Sequence, residues 1–255
     1  MSHLISEGPS RDAPAAATGL GCGVPGCAHP LVAPTEWAEL IRPGTPLHWA
    51  VLNVARGPGS RRDPHCLTAA ARLRAAGVRV LGHLDLRCGT RPFGELVSDA
   101  DRFLDWYQVD GFYMDRCPVD RPDLPETART VTTLRAMLGG AYVVLGQGAH
   151  PYQGYMEIAD QLVTFRGAWA DYRWSQVAEW TAGYPPERFC HLVHGVPRPH
   201  LEEALRIARW QGAGTIYFTD RTAHPGQRTG AAAPWETLPG YWDEIVSRIG
   251  LRVME

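Results

Sequence analysis

A short apolar and aromatic run in this chain closes on an acid. Gly111-Phe112-Tyr113-Met114-Asp115 reads as a buried strand, and Arg116, Cys117 and Pro118 follow at once. A carboxylate at the carboxyl end of a buried parallel strand stands where a barrel enzyme places its chemistry. Nearby arginines favour the charged form of such a group, so Asp115 suits a base better than a proton donor. The alternative is a structural ion pair among Asp115, Arg116 and a neighbour. A second run, Gln161-Leu162-Val163-Thr164-Phe165, closes on Arg166 and Gly167. A guanidinium can hold a carboxylate or steady an enolate-like oxygen but gives up no proton near neutral pH. Arg166 therefore binds rather than reacts, or simply neutralises Asp115.

Histidine is the residue type that shuttles protons near neutral pH, which brings in His83 and His194, although each serves equally as a structural histidine. Tyr113 shares a strand face with Asp115 and puts a phenol beside the acid, as a proton donor or as a core aromatic. The catalytic candidates are thus Asp115, Arg166, Tyr113 and His83. Convergence of strand ends on one mouth would add Asn53, Asp85, Arg116, Gln147, His194 and Asp220 as substrate-binding groups. Trp169, with Tyr172 and Trp174, would form an aromatic wall for a ring-shaped ligand or would pack a helix.

Cys22, Cys27 and His29 suggest zinc by proximity, but the cysteines are more widely spaced than in a structural zinc pair and no fourth ligand is evident. Cys190, His191 and His194 fare no better, because residues 191 and 194 point to opposite faces of a strand. No dinucleotide fingerprint or phosphate loop is present, so neither a metal nor a cofactor is expected.

The elements that must carry these residues follow from an alternation of β-rich runs and helical patterns, the signature of repeated strand-helix units around a parallel sheet. Strands are predicted at 48–53, 79–85, 111–115, 141–146, 161–165, 189–194 and 215–219, with a first strand near 21–27. Apolar spacing predicts helices over 63–76, 99–107, 126–138 and 201–211. The expected fold class is α/β, a single (β/α)8 TIM-type barrel of parallel strands over residues 21–255. Residues 1–20, with 8–20 rich in Pro, Ala and Gly, are expected to form a flexible tail or to fold over the barrel mouth.

Several segments resemble spherulation-specific family 4, the spherulin-4-like branch of the glycoside hydrolase barrels. Leu52-Asn53-Val54-Ala55-Arg56-Gly57-Pro58-Gly59 is similar to a family strand ending Asn-Pro-x-x-Gly-Pro-Gly, with Val54 in place of the proline. Val80-Leu81-Gly82-His83-Leu84-Asp85 through Gly89-Thr90-Arg91 resembles the family's Gly-Tyr-Val segment running on to Tyr-Gly-x-Arg, with His83 and Cys88 replacing tyrosines. Ile216-Tyr217-Phe218-Thr219-Asp220 and Pro234-Trp235-Glu236-Thr237-Leu238-Pro239-Gly240-Tyr241-Trp242 resemble its final strand and closing Leu-Pro-x-Tyr-Trp.

The departures fall at the chemistry. The resemblance implies Asp-Glu where this chain has Asp115-Arg116, and a second catalytic carboxylate in Phe-Glu-Gly where it has Phe165-Arg166-Gly167. The family's Asn-Pro-Gly reads Gly146-Gln147-Gly148. Of the acids the resemblance implies, Asp115 alone remains.

A length of 255 residues with 45% apolar content suffices for one large core. The net charge of -2 with dispersed basic residues gives no footprint for nucleic acid or an anionic membrane, and neither partner is expected. All 25 basic residues are arginine, which excludes a Schiff-base aldolase and a phosphate-loop lysine. The opening residues show neither a basic start nor an apolar core of signal-peptide length, so a cytoplasmic location with six free thiols is expected. Oligomeric state is left open.

Together these point first to a repurposed barrel working on a small, natural-product-type metabolite. Asp115 would move a proton while Arg166 and Arg116 anchor a carbonyl, enolate or carboxylate during dehydration, conjugate addition or cyclisation. Two alternatives stand beside it: a glycoside hydrolase acting on an aminosugar polysaccharide, and an inactive barrel that binds a carbohydrate or metabolite.

Overall fold

The computed structural model describes residues 19–222 and 234–250. Within them eight parallel strands close into a barrel in chain order: β1 (Gly21–Val24), β2 (Leu47–Leu52), β3 (Arg79–Asp85), β4 (Gly111–Asp115), β5 (Tyr142–Gly146), β6 (Gln161–Ala168), β7 (Phe189–His194) and β8 (Thr215–Thr219). The helices are α1 (Pro34–Leu40), α2 (Pro64–Ala75), α3 (Phe93–Tyr107), α4 (Leu124–Leu138), α5 (Trp169–Tyr172), α6 (Leu201–Trp210) and α7 (Trp242–Gly250). The expected (β/α)8 class is therefore the observed one. Most of the tail assigned to residues 1–20 lies outside the described residues. None of the described helices is long and apolar enough to cross a membrane, and the six cysteines are free.

Strand burial follows from composition. Runs such as Phe112-Tyr113-Met114 and Val143-Val144-Leu145 are covered on both faces, as parallel strands under helices must be. Helix α6 buries Leu201, Ala204, Leu205 and Ala208, one face of a 3.6-residue period, against the sheet. Helix α2 starts where Asp63 accepts hydrogen bonds from the amides of His65 and Cys66 and Pro64 needs no donor partner. Helix α3 begins earlier than its sequence pattern suggests, just after Pro92, whose fixed φ suits the position before a first turn.

The floor of the barrel is a satisfied polar layer. Trp49 Nε1–H donates to Gln161 Oε1 (2.8 Å), and Gln161 Nε2–H donates to Thr215 Oγ1 and to the Glu187 carbonyl, each at 2.8 Å. The Tyr113 ring lies over it, 5.8 Å from that of Trp49. Inward positions on β4, β3 and β5 then rise in register, with Asp85 opposite Asp115 and Asp115 opposite Gly146.

Strand β6 does not keep its alternation. Its register against β7 shifts between Val163 and Phe165, a bulge with Thr164 as the extra residue. Gln161 points inward before the bulge. After it, Phe165 packs outward on Tyr172 (4.7 Å between ring centroids), and Arg166 turns into the mouth. Strict alternation from Gln161 would have reversed both side chains.

Candidate active site

Asp115 lies at the mouth with a side chain 15% exposed. Its Oδ1 accepts from Arg166 Nη1 (2.5 Å) and from the Arg116 amide (2.9 Å), and its Oδ2 accepts from His83 Nε2 (3.3 Å). Burial pushes the Asp115 pKa upward, but the His83 hydrogen bond and the Arg166 charge outweigh it and hold the carboxyl at about 2. The group is a carboxylate at neutral pH. It can accept a proton, act as a nucleophile or face a developing positive charge, and it cannot serve as an acid.

Arg166 is held by backbone as well as by charge. The Gly148 amide donates to the Val163 carbonyl (2.8 Å), and the Arg166 amide donates to that of Gly148 (3.1 Å). Gly148 has φ +74, and a Cβ there would stand 3.0 Å from Arg166 Cβ, so a glycine suits this contact. The guanidinium also lies 5.4 Å from the centre of the Trp235 ring.

Tyr113 is fully buried beneath this pair, and a Cβ on Gly146 would come within 2.8 Å of its hydroxyl. Burial raises the phenol pKa well above its usual value, only partly offset by Arg166. Tyr113 therefore keeps its proton, and its ring stacks near-parallel on His83 with centroids 6.3 Å apart. The Tyr113 hydroxyl, His83 Nδ1, His194 Nδ1 and Gln147 Oε1 are buried polar atoms without a hydrogen-bond partner among the described residues. Such atoms call for an explanation, and a polar ligand is one.

Arg116 does not join Asp115 through its side chain. Its guanidinium forms a two-point pair with Asp85, one arm at 2.8 Å, and its backbone adopts φ +49. Burial raises the Asp85 pKa, but Arg116 and the Arg87 amide together lower it below the usual value. The ion pair expected of Asp115 and Arg116 thus divides into two crossed pairs, Asp115 with Arg166 and Asp85 with Arg116.

The remaining candidates separate. His194 lies against Trp235, with ring centroids 5.5 Å apart, and burial lowers its pKa, which leaves it neutral at pH 7. Gln147 donates to the Pro118 carbonyl (3.0 Å). Asn53 is exposed and accepts from the Gly57 amide (2.9 Å), which shapes its loop. Asp220 is exposed and accepts from the Gly240 amide (3.2 Å), which fastens the closing segment. Trp169 is buried among Tyr172 and His200 under Arg173, a packing role, and Trp174 is 79% exposed.

The residue that sequence reasoning missed is Trp235, which meets Arg166, His194 and Tyr217. Its signal lay in the closing segment, whose family pattern is visible but whose position over the mouth is not. The grouping of Cys22, Cys27 and His29 does not form: Cys27 faces Glu36 at 3.9 Å, and His29 faces Asp63 at 3.2 Å.

A closed parallel barrel with an ionised aspartate and an arginine at the carboxyl ends of its strands defines the class as an α/β barrel of the TIM type. The chain belongs to spherulation-specific family 4, whose model matches residues 24–249. Spherulin-4 of Physarum polycephalum is 25% identical over 211 residues, covering 78% of this chain and 61% of that protein. The chain thus spans less than two thirds of that relative's length. The crystal structure of Aspergillus clavatus Sph3 in complex with GalNAc superposes with a TM-score of 0.71 at 23% identity, over 91% of this chain and 98% of the other. At that identity the likeness is one of fold. The glycoside hydrolase domain of PelA from Pseudomonas aeruginosa gives a TM-score of 0.48 at 14% identity, over 79% and 95% of the two chains.

Proposed function

We propose that this protein is a sugar-acting barrel of the glycoside hydrolase type, with an aminosugar unit of a glycan seated at the mouth against Asp115 and Trp235. The observation that carries this is the ionised Asp115 carboxylate in a mouth where neighbouring buried polar atoms of His83, Tyr113, His194 and Gln147 lack partners among the described residues. A ring with many hydroxyls supplies donors and acceptors to such atoms, and an indole face suits its apolar side. Family membership and the GalNAc seen in the Sph3 barrel support the same reading.

In it, Asp115 faces the positive charge that develops at the anomeric carbon. Arg166 hands one carboxylate oxygen over as a sugar hydroxyl or amide oxygen takes up its guanidinium. Water entering the mouth supplies both the proton for the leaving oxygen and the hydroxyl that bonds to the anomeric carbon, since Asp115, with a pKa of about 2, holds no proton to give.

A second reading is favoured by one observation, the 2.5 Å pairing of a cationic fork with Asp115. That pair suits proton abstraction beside a carbonyl held by Arg166, as in dehydration or cyclisation of a small metabolite in the cytoplasm. One experiment separates them. Purified protein and its Asp115→Asn variant are incubated with GalNAc-containing oligosaccharides, and new reducing ends are followed by mass spectrometry. Cleavage lost in the variant supports the first reading. Absence of both cleavage and saturation-transfer contacts to GalNAc overturns it, and Asp115-dependent loss of water from a carbonyl substrate would establish the second.

A further inference from the structure

Three potential metal ligands meet on the barrel rim, away from the Asp115 pair. His29, in the loop after β1, brings Nε2 to 3.2 Å from Asp63 Oδ2, and Cys66 stands one turn into α2. The ligand atoms of His29, Asp63 and Cys66 all lie within 4.8 Å of one another. We propose that these three side chains form a zinc site that ties the loop after β1 to the start of α2.

The donor set selects the metal. One imidazole nitrogen, one thiolate and one carboxylate oxygen suit zinc, whereas magnesium and calcium take oxygen ligands. Ligands bound at about 2.0–2.3 Å in a tetrahedron stand about 3.5 Å apart. The present spread, within 4.8 Å, is about an ångström wider than that, so the ligands must draw together when the metal binds.

The support behind the ligands is already built. Asp63 Oδ1 is occupied by the His65 and Cys66 amides, both at 2.9 Å, which leaves Oδ2 for the cluster. The Asp63 amide donates to the Tyr107 hydroxyl (3.1 Å), which in turn donates to the Pro58 carbonyl (3.0 Å). Cys66 is 2% exposed, so the sulfur is shielded from competing oxidants and solvent. The fourth position falls to water or to His65, which is exposed and has its ring 6.2 Å from that of His29.

The proton balance is definite. The S–H bond of Cys66 breaks as the Zn–S bond forms, and the proton leaves to solvent. The Leu31 amide donates to His29 Nδ1 (3.2 Å), which puts the ring hydrogen on Nε2 facing Asp63. Zinc takes the Nε2 lone pair as that hydrogen moves to Nδ1, and the Leu31 contact is given up.

The test uses the whole chain, stripped with a chelator, titrated with cobalt(II) and then with zinc(II). The expected result is saturation at one equivalent, with tetrahedral ligand-field bands and a thiolate charge-transfer band that zinc abolishes. Cys66→Ser should remove the charge-transfer band, and His29→Ala should weaken cobalt binding by at least roughly tenfold to a hundredfold. Cys88→Ser, at an exposed cysteine, should leave both intact. No charge-transfer band in the wild-type chain, or its persistence in Cys66→Ser, overturns the site. Should Cys66→Ser fail to fold by circular dichroism, His29→Ala decides: unchanged cobalt affinity overturns the proposal.

Discussion

Replacing Arg166 by methionine removes the charge beside Asp115 while keeping much of the side-chain volume. In the wild-type protein the Asp115 pKa falls from 3.8 to about 2, with burial acting against that shift. At roughly 1.4 kcal/mol per unit, the folded state favours the ionised form by about 2 to 3 kcal/mol. A depressed carboxyl pKa contributes stability that is fully present above the unfolded value, near pH 4, and is lost as pH falls through the folded value, near 2. Without Arg166, burial is opposed by His83 and the Arg116 amide, and the Asp115 pKa should rise. Two consequences follow. At pH 7 the variant should be less stable by about 2 to 3 kcal/mol, because a half-shielded carboxylate has lost its cation. Between pH 4 and pH 2 it should lose less stability than the wild type, since its Asp115 has less depression to surrender. Urea denaturation at a series of pH values measures both, and carbon NMR of the labelled aspartate carboxyls reports the titration directly. An Asp115 carboxyl that still titrates near pH 2 in Arg166→Met would refute the assignment of its low pKa to this pair.

Two other perturbations probe how Arg166 is held. Gly148→Ala forces a side chain into φ +74 and against Arg166 Cβ, and should cost about 1 to 3 kcal/mol by thermal melting while weakening any Asp115-dependent activity. Deleting Thr164 removes the extra residue of the β6 bulge, and plain alternation from Gln161 then still turns Phe165 outward and Arg166 into the mouth, so GalNAc contacts in saturation-transfer NMR should persist.

Much of the fold is legible along the chain. The alternation of β-rich runs with helical patterns suffices for an eight-stranded parallel barrel, because each apolar run needs cover on both faces and each helix has one face to bury. Asp115 is equally legible, since a period of two from Phe112 to Asp115 puts Tyr113 and the acid on one face at the strand's end. Short elements such as α1 and α5 carry too few turns to leave a clear period, and they emerge only with their packing partners.

The pairing of charges belongs to the tertiary structure. Sequence adjacency suggests Asp115 with Arg116, yet an αL backbone at Arg116 turns its guanidinium to Asp85 on the neighbouring strand. Arg166 reaches Asp115 because of a bulge set by the register of β7, not by anything periodic in β6 itself. The grouping of His29 with Asp63 and Cys66 likewise replaces the nearer Cys22 and Cys27, since loops at one end of a barrel meet across gaps of more than thirty residues. Local pattern determines which face of a regular element is buried. Irregular backbone and cross-barrel distance determine which polar groups meet, and those are properties of the closed barrel as a whole.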